Sequence, residues 1–230
     1  MSDTANATVR VLCTNGLKSL FEAEGGELTR ATGVSFAADY GSTKKFTEQI
    51  TAGDVPDIVI LTDEAIDTLI AQGKLAKGRT DLAKSFIGVA VRKGTPKPDI
   101  STTAAFIATL RAAPSIARSR LGASGQHLES LLKQFGLAEE LAPNIKIYDG
   151  YAAQACANGE TEIAIQQISE LMPAGLDIVG PLPAELQKLT IFSAGIGAAT
   201  KQRAAAKKFI AYIKDRDRAA ALRAHGLEPA

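Results

Sequence analysis

Short β-branched runs alternate along the chain with longer stretches whose apolar residues recur at helical spacing, and this alternation sets the expected architecture. Thr8-Val-Arg-Val-Leu-Cys-Thr14 reads as a strand. The stretch from Leu17 to Thr32 puts Leu17, Leu20, Phe21 and Leu28 on one helical face. Gly25-Gly26 weakens its middle and Gly33 ends it. A strand over 34–38, a helix over 43–52 and a buried strand, Pro56-Asp-Ile-Val-Ile-Leu61, come next. Asp63 is expected to cap a helix running to Gln72. Strands linked in this way through helices run parallel, with right-handed crossovers. Ligands then gather at the carboxyl ends of the strands, where the helices begin.

After the strand Phe86-Ile-Gly-Val-Ala-Val91, Gly94-Thr-Pro-Lys-Pro98 makes a stiff break. A second set follows. It has helices over 102–112, 125–135 and 151–158, and strands over 115–118, 144–148, 162–166 and 176–180. Pro181-Leu-Pro183 interrupts it, a returning strand covers 189–194, and 201–224 reads as helical. The expectation is an α/β chain of two lobes, each a mixed, mostly parallel sheet flanked by helices. Residues 1–93 with 190–230 form the first lobe and 94–189 the inserted second. Two crossings act as the hinge, and the ligand lies in the cleft between the lobes.

Composition narrows the function. A hydrophobic fraction of 46% and a charged fraction of 22% are those of a folded globular chain. A net charge of +1 supplies no global field for nucleic acid or anionic lipid, and the chain lacks Trp, so nucleic acid is not an expected partner. Cys13 and Cys156 sit in apolar surroundings and read as buried thiols, with a disulfide between them as the alternative. His127 and His225 lie far apart, so neither a metal site nor a cofactor is expected. The first residues lack a basic start and an apolar run. Localisation is therefore left open between cytoplasmic, as the chain is written, and periplasmic, for a form whose signal was removed. A monomer is expected.

The candidate chemistry follows the strand ends. Thr14-Asn15-Gly16 and Gly41-Ser42-Thr43 each lie between a strand and a helix, where backbone N–H groups and the helix dipole favour an anion. The plain alternative for both is helix capping. In the second lobe Arg118 and Arg120 precede Gly122-Ala-Ser124-Gly125, a basic pair before a small-residue helix start that suits a carboxylate. Its plain alternative is a solvated loop. Tyr148-Asp149-Gly150-Tyr151 and Gln166-Gln167 end the next two strands. No phosphate loop or nucleophile elbow survives inspection, because Gly41-Ser-Thr-Lys-Lys45 and Gly122-Ala-Ser-Gly125-Gln126 each lack the required spacing. The terminal basic stretch around Lys207 and Lys214 carries Phe209, Ile210 and Ile213, and reads as a docked surface helix.

Several segments resemble the molybdate-binding proteins of ABC transporters, which have the type 2 periplasmic binding fold. They are Val-Leu-Cys-Thr-Asn-Gly-Leu at 11–17, Gly-Ser-Thr at 41–43 with Gln49-Ile50, Gly-Asp-Val-Pro-Asp-Ile-Val at 53–59, and Asp63 with Leu69–Leu75. Asn158-Gly-Glu160 and the ending over 219–227, with Gly226, continue the likeness. The resemblance implies a small anion held by hydroxyls and backbone N–H groups, at Gly16 and Thr43 in one lobe and near Ser124, Gly150 and Gln167 in the other. It also implies an ABC transporter membrane component as a partner. Gly16 stands where the family usually has Ser, Gln167 where it usually has Tyr, and Ser124 where it has a small apolar residue. These departures point from molybdate toward a larger, carboxylate-bearing ligand. The same resemblance extends to aconitate isomerase, which is built like these binding proteins. In that alternative His127, Tyr148 or Asp149 would serve as the base.

Overall fold

The computed structural model describes residues 8–150 and 152–230. In chain order it places β1 (Thr8–Thr14), α1 (Lys18–Thr32), β2 (Ser35–Gly41), α2 (Thr43–Thr51), β3 (Ile58–Thr62), α3 (Asp63–Ala71), β4 (Thr80–Ser85) and β5 (Ile87–Val91). Then come α4 (Thr103–Ala112), β6 (Ile116–Ser119), α5 (Ala123–Gln134), α6 (Ala138–Leu141), β7 (Ile145–Tyr148), α7 (Ala152–Ala157), β8 (Ile163–Gln167), α8 (Ile168–Leu171) and β9 (Asp177–Pro181). The chain ends with β10 (Thr190–Ile196), α9 (Arg203–Lys214), α10 (Ala219–Ala224) and β11 (Glu228–Pro229). Two compact units result. One takes the chain up to Lys84 together with Thr190–Ala230, and the other is Ser85–Leu189.

The first unit is a six-stranded mixed sheet in the order β11-β4-β10-β3-β1-β2. β1 pairs parallel with β2 and β3, while β10 runs antiparallel to β3. Both faces are covered, so alternate residues of one strand enter different cores. Val9, Val11 and Cys13 pack under α1 and α9, and Leu12 packs with Phe46 and Ile50 of α2. Gly25 does not interrupt α1. A Cβ there would stand 2.8 Å from the ring of Phe36, so the glycine lets the helix lie close on β2. Gly33 closes α1 with φ 66°, a left-handed cap.

The second unit is a five-stranded sheet, β7-β6-β8-β5-β9. β6 pairs parallel with β7 and β8, and β5 runs antiparallel to β8 and β9. One face buries Phe106, Leu110, Leu128 and Leu131. The other carries Ala90, Ala117 and Ala164 against Ala152, Ala153 and Cys156, small residues on both sides that let α7 approach the sheet.

Three expectations are corrected. The strand at 86–91 belongs to the second sheet rather than the first lobe, because β5 is paired on both sides by β8 and β9. The chain therefore changes units at Lys84–Ser85, and Gly94-Thr-Pro is a turn inside the second unit. β4, with Leu82 and Ala83 fully buried, was not expected at all. The terminal helix is broken after Lys214, where the Asp215 carboxylate accepts the Asp217 N–H at 3.1 Å.

Candidate functional site

In the first unit the register β1–β2 pairs Thr14 with Gly41, so the two candidate turns are neighbours at the carboxyl edge of one sheet. Thr14 is buried, and a single 3-10 turn, Asn15–Leu17, leads into α1. Gly16 is fixed by a close approach. A Cβ there would fall 2.5 Å from Cζ of Phe192 on β10, so the aromatic ring fills the space a side chain would need. Ser42 is used as a cap, its Oγ accepting the Lys45 N–H at 3.2 Å. Thr43 is the first residue of α2 and half-buried. Behind this edge burial pushes the Cys13 thiol and the Tyr40 phenol well up, so both stay neutral.

In the second unit the register β6–β7 pairs Ser119 with Tyr148, and Ala117 pairs with Ala164 on β8. The three parallel strands thus end together, and each is followed by a helix. Arg118 is only 7% exposed and turned inward. Its guanidinium donates to the carbonyls of Ser119 (3.3 Å) and Gly125 (3.4 Å) and to Glu129 Oε2 (3.1 Å), tying the end of β6 to the first turn of α5. Arg120 is exposed and donates to Asp149 Oδ1 at 2.6 Å, with its N–H on the Tyr148 carbonyl. The two arginines therefore do not form one basic cradle, because the first turns its terminal donors inward, with its Nε buried and without a partner among the described residues, and the second pairs in solvent.

The head of α5 is unusually tight. A Cβ on Gly125 would stand 1.9 Å from the Ser119 carbonyl oxygen, and one on Gly122 would stand 2.4 Å from Ser119 Oγ. Both hydroxyls of this turn, Ser119 Oγ and Ser124 Oγ, are buried and meet no hydrogen-bond partner among the described residues. Sequence reasoning named Ser124 and passed over Ser119, whose neighbouring arginines drew the attention.

The remaining candidates are more ordinary. His127 Nε2 donates to the Leu186 carbonyl at 2.7 Å, which holds the 3-10 turn over 184–186. Tyr148 reaches Glu160 at 3.4 Å, and burial, then that carboxylate, pushes its phenol up. Gly150 has open space where a Cβ would go, and Tyr151 lies outside the described residues. Gln167 is buried at the start of α8.

Gln166 is the better placed of the two amides. Its Oε1 accepts the Ala153 N–H at 2.7 Å in the first turn of α7, and its Nε2 donates to Glu170 Oε2 at 3.3 Å. Glu170 was missed. Burial raises its carboxyl from 4.5 to about 7, with the Gln167 N–H opposing the shift. A Glu three residues after the helix-capping position, Gln167-Ile-Ser-Glu170, is the spacing that could have found it.

Comparison with known proteins agrees with this architecture. The family model described as bacterial extracellular solute-binding protein matches residues 9–228. An aconitate isomerase from Pseudomonas sp. is 34% identical over 236 residues, covering 96% of this chain and 88% of the relative. Among solved structures, the periplasmic molybdate-binding protein of Azotobacter vinelandii superposes with a TM-score of 0.81 at 21% identity, covering 96% of this chain and 99% of that one. The sulfate-binding protein SubI of Mycobacterium tuberculosis gives 0.73 at 15% identity, with 97% and 87% covered. The tungstate-binding protein TupA of Desulfovibrio alaskensis gives 0.67 at 16% identity, with 94% and 93% covered. The fold is the two-lobed α/β arrangement of the periplasmic binding proteins, and the chain belongs to the family of bacterial extracellular solute-binding proteins.

Proposed function

We propose that this chain binds a small anion carrying carboxylates at the carboxyl ends of its parallel strands. Each unit offers its own set of groups for it: Thr14, Asn15 and Thr43 in the first unit, and Ser119, Ser124 and the opening N–H groups of α5 in the second. The observation that carries this reading is the pair of buried, partnerless hydroxyls at the head of α5. A buried hydroxyl without a partner costs about 1–3 kcal/mol, so an acceptor is the expected complement. The positive end of a twelve-residue helix selects a negative one. Arg118 supports the turn from behind by holding two of its carbonyls. Membership of the family supports delivery of the ligand to a transporter.

The test is thermal unfolding with molybdate, tungstate, sulfate, phosphate, citrate and the two aconitates. A true ligand at a hundred times its dissociation constant stabilises by about 2.7 kcal/mol. Tricarboxylates are expected to give the largest shift, and Ser124→Ala or Thr43→Ala to weaken binding about tenfold, the value of one hydrogen bond to a charged group. Equal responses of wild type and both variants would remove these turns from the site.

A second reading, isomerisation of a tricarboxylate, is favoured by the 34% identical aconitate isomerase. It needs a group that exchanges protons near neutrality. His127, Tyr148 and Asp149 are each engaged by a neighbour, and Glu170, itself held by the Gln166 amide, has its carboxyl raised by burial to about 7. Deuterium washing from solvent into trans-aconitate, and its loss in Glu170→Gln with ligand binding retained, would decide for catalysis. Binding without exchange would decide for a carrier.

A further inference from the structure

We propose that the first unit carries a second anion site, a basic groove along α9 that takes a small molecule with adjacent phosphate or carboxylate groups. The groove encloses about 460 Å3 between α9, β10 and the segment 76–80, within the size range of small-molecule sites. Its wall carries Lys77, Arg79, Arg203, Lys207 and Lys214, and among the described residues no carboxylate lines it. Ile196 and Ile210 form an apolar floor.

This distribution of charge is not what folding alone would select. The chain has 26 basic and 25 acidic residues, so acids were available to balance this face. Arg203 and Lys207 are four apart on α9, and Lys214 lies seven beyond Lys207. One helical stripe therefore collects three like charges, and the adjacent pair costs a few tenths of a kcal/mol. Arg79 is compensated by Asp67 and Asp81, and Arg203 donates to the Ala198 carbonyl. Lys77, Lys207 and Lys214 have no hydrogen-bond or ion-pair partner among the described residues. Three lysines around a concave apolar floor suit a polyanion with an apolar body, since the charges position it and the floor removes its body from water.

The groove is separate from the strand-end turns of the same unit. Ile196 pairs with Ile58, the first residue of β3, whereas Thr14 and Gly41 close the opposite, carboxyl ends of β1 and β2. The inference therefore does not rest on the solute-binding reading.

The experiment is calorimetric titration of the full chain with ADP and with inorganic pyrophosphate, at low and at high salt. Saturable binding of one molecule per chain is expected, weakened by salt. ADP should bind about tenfold more tightly than pyrophosphate because its base covers the floor, a difference of about 1.4 kcal/mol. Lys207→Gln with Lys214→Gln should lower the affinity at least tenfold. Both positions are exposed, so an unchanged melting temperature checks the fold. Thr43→Ala should leave ADP binding intact. Any of three results would overturn the proposal: no saturable binding, equal affinity in the double variant, or loss of binding in Thr43→Ala, which would place the anion at the strand ends. Tighter binding of a Glu-rich peptide than of ADP would also overturn it, in favour of a protein partner.

Discussion

Glu170 holds a carboxyl where the fold penalises its charge, and this gives a prediction with a definite sign. Its folded value is raised from 4.5 to about 7 by burial. Between those two values the folded chain holds a proton that the unfolded chain has released, so stability falls as pH rises through this window. Below it both states are protonated and nothing is lost. Above it the full penalty, about 3 kcal/mol, is present. Glu170→Gln keeps an acceptor for the Gln166 amide and removes the charge. We expect its stability, read from urea unfolding, to exceed that of wild type at pH 8 and to match it near pH 4. Parallel curves for the two proteins across that range would refute the burial account. Gly16 offers a second test at this scale. Gly16→Ser must displace the Phe192 ring and should destabilise by about 1–3 kcal/mol, the usual penalty for overpacking. Adding Phe192→Ala should recover part of that loss. A Gly16→Ser variant as stable as wild type would show that the ring yields freely.

The helices show how a local rule and a tertiary contact can point in opposite directions. Gly25 and Gly26 are consecutive in the middle of α1, and propensity alone treats them alike. Their surroundings differ. Gly26 has open space where a Cβ would go, and Gly25 has the Phe36 ring at 2.8 Å. Gly26→Ala should therefore stabilise by about 0.5–1 kcal/mol. Gly25→Ala should destabilise despite the same gain in propensity, because it pushes α1 off β2 and disturbs the Phe21–Phe36–Phe209 cluster, whose centroids lie 5.3–6.0 Å apart. Melting temperatures moving in the same direction for both would contradict this packing. The periodicity of α1 was legible in the sequence, but the purpose of its glycines was not, since Phe36 is contributed by the next strand. The same limit explains the arginines. Arg118 and Arg120 look equivalent in the chain, yet Arg118 lies within β6 and turns inward to Glu129, whereas Arg120 lies just past the end of the strand and pairs in solvent with Asp149.

At the scale of the whole chain, the βα order announced parallel strands, and the strand-end turns that carry the candidate site could be picked out for that reason. What the pattern did not announce was where the chain changes units. Glycine and proline at 94–98 mark a turn that follows β5, whereas the crossing at Lys84–Ser85 lies in the last residues of β4, in extended chain with no breaker to signal it. Nor did periodicity reveal Ser119, because an unfilled hydrogen bond is a property of packing and not of composition. Each unit has its own sheet with a hydrophobic core on both faces, so each can melt as a cooperative block. This supplies a test of how many units the ligand engages. In calorimetry, a ligand that contacts turns of both units raises the transitions of both and draws them together. A ligand that contacts one raises that unit's transition alone by up to about 2.7 kcal/mol at a hundredfold excess over its dissociation constant. Under the proposed function citrate or an aconitate should raise the transition of each unit whose turn it contacts, and Thr43→Ala should diminish a shift of the first unit and Ser124→Ala a shift of the second. A shift confined to one transition would restrict the solute to a single unit.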